Sequence, residues 1–364
     1  MRLVPIAIAA ILVGCLVAPE PSPVVRPARM RAAPRWSPWE CEVRPPARVF
    51  ASVTSTPRGV VIFGGLGREG PLGDGWRWDG AAWTELPSRG APTARAGHVG
   101  VWAGDRLCVW GGGRSGDGAC WVPGEDAWRP MSAVDAPAPR SGHSAIWTGR
   151  AVMIFGGKDG EGEALSDGAL YDPLADTWTA LPPAGPKARW AAVLARDEVT
   201  GRIALWGGAG EALALGADDA AWFDPRAPRW EPLATEGAPS LSRGPQSVVA
   251  ASGIVVLGPE PSRFDFREGR WRRAAQHGAP SPRVSTTAVA LPGAAVLWGG
   301  LDGDGPRGDG ALYLLDEDRW TPLPADGAPS ARSDATGFWD GQRLRILWGT
   351  GAQGLCDDAF ALEL

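Results

Sequence analysis

Residues 138–181 divide into four short segments with different hydrophobic patterns. RSGHSAIW is mixed, AVMIFGG is continuously apolar, GALYDP and DTWTALP alternate, and Gly, Pro or Asp turns separate them. Segments this short suit strands, so the pattern predicts four antiparallel strands. The apolar run ending in Gly-Gly recurs at VVIFGG (Gly64, Gly65), LCVWGG (Gly111, Gly112), VMIFGG (Gly156, Gly157), IALWGG (Gly207, Gly208) and AVLWGG (Gly299, Gly300), with degenerate copies at Gly258 and Gly349. The step is about 47 residues, a period for stacked β-units and not for helical repeats. Two further marks keep the same step. One is a tryptophan, usually followed by a polar residue and Leu-Pro: Trp39, Trp83, Trp128, Trp178, Trp230, Trp271 and Trp320. The other is an arginine after a Pro-containing turn: Arg48, Arg95, Arg140, Arg189, Arg243, Arg283 and Arg332. Each mark predicts seven units.

A four-stranded sheet cannot bury both of its faces alone, but radial packing buries each sheet against its neighbours. The order of strands, with Gly-Gly after the second, Tyr in the third and Trp in the fourth, resembles the kelch repeat. The resemblance runs from Trp36 to Leu364. It implies an all-β fold, a seven-bladed kelch-type β-propeller over residues 36–364. The last unit stops after its third strand, DAFALEL, whereas RWSPWECEV precedes the first unit. The N-terminal strand is therefore expected to complete the last blade, over residues 36–43, and to close the ring.

Composition sharpens this picture. Among 364 residues there are 20 Trp against two Tyr, too many large apolar rings for a disordered chain despite 51 Gly and 35 Pro. A net charge of −5 argues against a nucleic-acid partner, which needs a broad basic surface. Residues 1–14 carry one early charge, Arg2, and an apolar run of signal-peptide length. The run ends in Leu12-Val13-Gly14-Cys15, which resembles the bacterial lipobox; that implies cleavage before Cys15, lipidation of Cys15 and a membrane held only through the anchor. Leu16, in place of Asp, implies outer-membrane sorting. Residues 15–35, rich in Pro and Arg, read as an extended tether.

Four cysteines remain after Cys15, and three pairings are open to them. The kelch order favours one: Cys41–Cys356 as a staple in the closing blade, and Cys108–Cys120 between strands two and three of the second blade. No CxxC or histidine cluster suggests a metal site. His98 and His143 follow the repeat arginine by three residues in consecutive units and read as structural, and His277 falls in a loop. The galactose oxidases, a kelch family, bind copper through Tyr and His with a Tyr–Cys crosslink. Here Tyr171 and Tyr313 both sit at the third-strand position with no cysteine beside them, so no cofactor is expected. The Gly-rich segment 301–310, with Asp302, Asp304 and Asp309, lacks the closing Glu of a calcium loop and reads as a solvated turn.

Antiparallel order puts the loops after Gly-Gly on the same face as the repeat arginines. In kelch adaptors of animal ubiquitin ligases, arginines at similar places hold acidic peptides, so the seven arginines are candidate ligand contacts. The alternative is structural pairing with the loop acids Asp74, Asp117, Asp167, Asp219, Asp309 and Asp357. No nucleophile elbow, phosphate loop or zinc signature appears. The reading is a monomeric, non-catalytic envelope scaffold for a protein, peptide or glycan. Two alternatives are a purely architectural role and a sugar-active enzyme resembling bacterial N-acetylneuraminate epimerase, with Glu161 or Glu211 moving a proton.

Overall fold

The computed structural model describes residues 33–210, 219–240, 246–258 and 260–364. Cys15, Glu211 and Arg243 lie outside the described residues. Those described form seven four-stranded antiparallel sheets. The third is typical, with strands Ser144–Trp147, Val152–Phe155, Gly168–Asp172 and Thr177–Ala180 in sequential order. The innermost strands of successive sheets are Ser52–Thr56, Val99–Trp102, Ser144–Trp147, Val193–Arg196, Gln246–Ala250, Thr287–Leu291 and Thr336–Trp339. Seven hydrophobic clusters hold the sheets together, each drawn from two neighbours. The one shared by the last and first sheets closes the ring. Among the described residues the molecule is a β-propeller of seven four-stranded blades.

The continuous apolar second strands follow from this geometry. Side chains alternate between the faces of a strand, and in a propeller both faces are buried. Val60 and Ile62 of strand Gly59–Phe63 join the cluster with the last blade, whereas Val61 and Phe63 join the cluster with the second. The indole of the fourth strand then bridges backward to the preceding blade. Trp128 Nε1 donates to Pro87 O at 2.8 Å, Trp178 to Ser132 O at 2.9 Å and Trp320 to Ala275 O at 2.8 Å.

The N-terminal strand does complete the last blade, but over Arg35–Pro38 and in a register three residues from the one expected. Trp36, not Trp39, is the repeat tryptophan. It stands opposite Leu362, as Trp178 stands opposite Tyr171, and its Nε1 donates to Pro324 O of the sixth blade at 3.0 Å. Trp39 occupies the repeat's leucine position. Its N–H donates to Ala359 O at 2.8 Å, as that of Leu181 donates to Gly168 O at 3.0 Å.

This shift overturns the expected staple. Cys41 lies past the end of the strand, in the connection to blade one, and Cys356 lies beyond the hairpin strand Gly354–Leu355, ahead of the blade's third strand. Both are free thiols, and burial pushes the Cys41 thiol up, against the neighbouring Arg345 and Arg44. Cys108 and Cys120 are directly opposed across strands two and three, with Cα atoms 4.1 Å apart, and form the expected disulfide.

Candidate functional site

The repeat arginines begin the innermost strands, and the structure brings each of the six described beside the loop that follows Gly-Gly in its own blade. The third blade shows the arrangement. Arg140 Nε donates to Ala138 O at 2.9 Å and Nη1 to Gly156 O at 3.1 Å, while Nη1 and Nη2 grip Asp167 at 2.8 and 2.9 Å. Arg48 and Arg283 hold Asp74 and Asp309 through both Nη atoms, whereas Arg95 and Arg189 reach the carboxylates of Asp117 and Asp219 through Nη2. Arg332 holds Asp358, not the expected Asp357, which turns outward to Arg44. These guanidinium groups are buried, with relative exposures from 0 to 7%. The ligand-contact reading is therefore corrected for Arg48, Arg95, Arg140, Arg189, Arg283 and Arg332. Two carbonyls and a bidentate carboxylate take four of the five N–H donors of Arg140, and its burial keeps the group from a ligand. The Arg140 hydrogen bond, working against burial, holds the Asp167 carboxyl below its usual range, and Asp309 and Asp358 are lowered in the same way by Arg283 and Arg332.

Each arginine thus clamps a loop of different length and sequence. Hairpins Leu66–Gly67 with Gly70–Pro71, Leu301–Asp302 with Gly305–Pro306, and Thr350–Gly351 with Gly354–Leu355 stand in blades one, six and seven. They lean on the residue after the arginine, as in Val49 opposite Leu66 and Val284 opposite Leu301. In blade three, Lys158 pairs with Ser141 and sets its Nζ 3.9 Å over the ring of Trp190 from blade four. Glu161 sits exposed at the tip of that loop, where its N–H and that of Glu163 donate to Asp159 Oδ1 at 2.9 and 3.0 Å. Asp302 caps its own turn through Asp304 N–H at 3.0 Å.

Two residues past each arginine, the chain turns left-handed. The positive φ values run Phe50 58°, Gly97 69°, Gly142 62°, Ala191 54°, Ser285 52° and Asp334 54°. Six described blades share a single αL residue at this repeat position, where the innermost strands begin, and four of the six are not glycine. Backbone bonds link these residues at three seams among the described residues: Gly142 N–H to Gly97 O at 3.0 Å, Ala191 N–H to Gly142 O at 2.8 Å, and Asp334 N–H to Ser285 O at 2.9 Å. Asp334 is the one carboxylate among them. Its Oδ2 accepts from Ser333 Oγ at 2.8 Å, and burial pushes its carboxyl up, against hydrogen bonds from Ser333 and Ser285. Sequence reasoning missed this position. The glycines at positions 97 and 142 are its only signal, since glycine is what left-handed backbone favours.

His98 and His143 lie beneath the Gly-Gly corners of the preceding blades. His98 Nε2 meets Ser52 Oγ at 3.0 Å, whereas His143 has no side-chain partner. Burial, then the neighbouring repeat arginine, lowers both to about 3, so both are neutral. The tyrosines serve the blade edges: Tyr171 Oη donates to Asp176 Oδ1 at 2.7 Å and Tyr313 pairs likewise with Asp318. The same carboxylates accept Ser132 N–H and Ala275 N–H from the preceding blade. Among the described residues no three His, Cys, Asp or Glu gather as metal ligands, and neither tyrosine adjoins a histidine. The residues present do not fit a copper–tyrosyl centre.

Residues 139–185 match the Kelch motif, the third blade with its flanking connections. No curated protein matches the chain. Among solved structures it is similar to a novel fungal alcohol oxidase with catalytic diversity among the AA5 family, in complex with copper. The identity is 17%, the TM-score 0.70, and the match covers 91% of this chain and 76% of that one. This likeness is one of fold.

Proposed function

We propose that the chain is a non-catalytic binding scaffold of a bacterial cell envelope, recognising a protein, peptide or glycan through the face that carries the loops after Gly-Gly. The observation that supports it is the contrast between constant anchors and varied loops. Six buried arginine clamps repeat the same kinds of partner, backbone carbonyls and a loop carboxylate, while the loops they hold range from GRSG at 113–116 to KDGEGEALS at 158–166. Function on a rigid scaffold concentrates in such loops. In this reading the apolar run before Cys15 exports the chain, a lipid on Cys15 anchors it at the outer membrane as a monomer, and residues 15–35 form the tether. Strand three runs away from the loop face, and Arg35 pairs with Glu363 at its far end. A tether entering there turns the loops away from the bilayer.

The test is binding of the purified chain to glycan and peptide arrays, beside variants in which 158–166 or 301–308 is replaced by the short 113–116 loop. A selective signal that falls at least tenfold in one loop variant is expected. An array profile unchanged by both replacements would remove the loop face as the recognition surface. Fatty-acid labelling that persists in Cys15→Ser would remove the anchor.

A further inference from the structure

We infer that the propeller opens at the seam between its last and first blades while the rest of the ring stays folded. The hairpins Leu66–Gly67 with Gly70–Pro71 and Thr350–Gly351 with Gly354–Leu355, which flank this seam on the loop face, then form a jaw of adjustable width. The opening is a property of the seam and holds whether or not the loops bind a macromolecule.

Two kinds of bond that tie other blades together are missing here among the described residues. One joins the Gly-Gly corner to the next arginine: Gly65 N–H to Arg95 O at 2.8 Å, Gly112 N–H to Arg140 O at 2.9 Å, Gly157 N–H to Arg189 O at 2.8 Å and Gly300 N–H to Arg332 O at 2.9 Å. Gly349 makes no such bond to Arg48. The other comes from the repeat tryptophan. Trp36, Trp128, Trp178, Trp230 and Trp320 each donate to a carbonyl of the preceding blade, whereas Trp83 Nε1 is buried without a partner. The innermost strands also stand further apart at this seam than those of blades one and two or six and seven.

The cause is legible in the residues. Trp348 fills the corner where other blades carry glycine. Val53 holds the register position of Gly100 and Gly337, where a Cβ would lie 2.7 Å from Ser52 Oγ and 2.3 Å from Thr287 Cγ2 of the preceding blade. Side chains of this size keep the blades apart, and apolar rings take the place of directional bonds. Trp78, Trp83 and Trp348 all belong to that cluster, and each has an indole N–H buried without a partner. Opening gives three such donors to water, which offsets part of the cost of exposing the rings. On the loop face the two hairpins are joined by a strap, Arg68 Nη2 donating to Leu355 O at 3.0 Å. A ring that opens at one seam must give at another. Across the ring, the seam of blades four and five also lacks its indole bond among the described residues, at Trp271, and its innermost strands also stand further apart. That seam is placed to be the hinge.

The experiment follows hydrogen exchange of the indole N–H groups by NMR on the full native chain. Trp348 and Trp298 form the comparison: they are 0 and 1% exposed and neither Nε1 has a partner, but Trp298 lies between blades six and seven, where the corner and indole bonds are intact. Trp348 and Trp83 are expected to exchange at least about tenfold faster than Trp298, with a weaker dependence on urea. Arg68→Ala should speed both by about threefold and leave Trp298 unchanged. Arg114→Ala removes the contact of Arg114 Nη2 with Gly160 O between the loops of blades two and three, and should change none of the three rates. Equal rates for Trp348 and Trp298, or a Trp348 rate that follows global unfolding in urea, would overturn the inference. Both rates are read on the native chain, so a variant that fails to fold does not blunt the test, and neither depends on whether an array ligand is found.

Discussion

Between blades two and three, backbone meets backbone. Gly112 N–H donates to Arg140 O at 2.9 Å, and a Cβ on Gly111 would stand 2.6 Å from His143 Cε1. Between the last and first blades the same corner is filled by rings. Trp348 replaces the first glycine, fully buried at φ 54°, and the histidine position is Ala51, packed in the same cluster. Trp39 enters from the connecting segment, edge-on to Trp78 at 4.7 Å, with the Arg345 guanidinium 4.2 Å from its ring and Asp340 paired to that arginine at 2.6 Å. The two seams conserve volume and not residue type: a large residue faces a small one in both, on opposite sides. Elsewhere the glycine corner meets small residues, Ala192 and Ala335 at the histidine position, and a Cβ on Gly156 or Gly299 would instead stand 2.3 or 2.7 Å from the carbonyl of the next arginine, Arg189 or Arg332.

The largest expected effect comes from undoing that exchange. Trp348→Gly empties a fully buried site and should cost about 4 kcal/mol in urea unfolding. Ala51→His alone overpacks the same corner and should cost about 2 kcal/mol. Together they rebuild the arrangement of the second and third blades, so the double variant should cost less than the sum by at least about 1 kcal/mol. Additive costs would show that the two positions do not share the corner.

The clamps are common to both seams, and breaking one sharpens what is not specific to closure. Arg140 is 0% exposed as a side chain against 61% for Asp167. Asp167→Ala strands a buried guanidinium and should cost about 3 kcal/mol, whereas after Arg140→Met the aspartate can rehydrate, and the cost should be smaller by about 1 kcal/mol. Urea midpoints in the reverse order would mean that the carboxylate, not the guanidinium, is the desolvated partner. The pH dependence follows from the same pairs. Asp167, Asp309 and Asp358 have carboxyls lowered by their arginines, so this stabilisation is present above the ordinary carboxylate range and is lost as pH falls through the lowered values.

The fold was legible because a period repeated in three kinds of residue leaves little choice of architecture. The register of the closing strand was also written in the chain. Twelve residues separate Trp83 from Arg95, Trp128 from Arg140 and Trp320 from Arg332, and twelve separate Trp36 from Arg48, whereas Trp39 stands nine away. Spacing to the arginine identifies Trp36, and misplacing it carried Cys41 onto a strand it does not join. The partners of the arginines were half legible, since matching acids recur but burial decides whether they or a ligand satisfy the charge. The left-handed position was not, because Phe50, Ser285 and Asp334 adopt a conformation that their side chains disfavour and that only the surrounding backbone bonds enforce.

The smallest expected effect tests the histidines that make the regular corner bulky. His98 and His143 occupy matching positions, but His98 meets Ser52 of the first blade, whereas the register position of Ser52 is held in the second blade by Val99, which offers His143 no hydrogen bond. Both imidazoles have pKa values depressed by burial, so each favours folding fully above its ordinary value near 6.5 and loses that contribution as pH falls toward 3. Val99→Ser supplies His143 with the hydroxyl that His98 already has. Satisfying a buried nitrogen is worth about 1 kcal/mol, and the loss of two partly buried methyl groups offsets most of it. Stability near pH 7 should therefore change little, and the gain appears in the coupling. Val99→Ser should be about 1 kcal/mol less costly with His143 present than in a His143→Leu background, and Ser52→Val should show the opposite sign of coupling with His98. Equal costs in both backgrounds would mean that His143 finds its partner elsewhere, in a water on the axis, and that the two corners do not differ in hydrogen bonding at all.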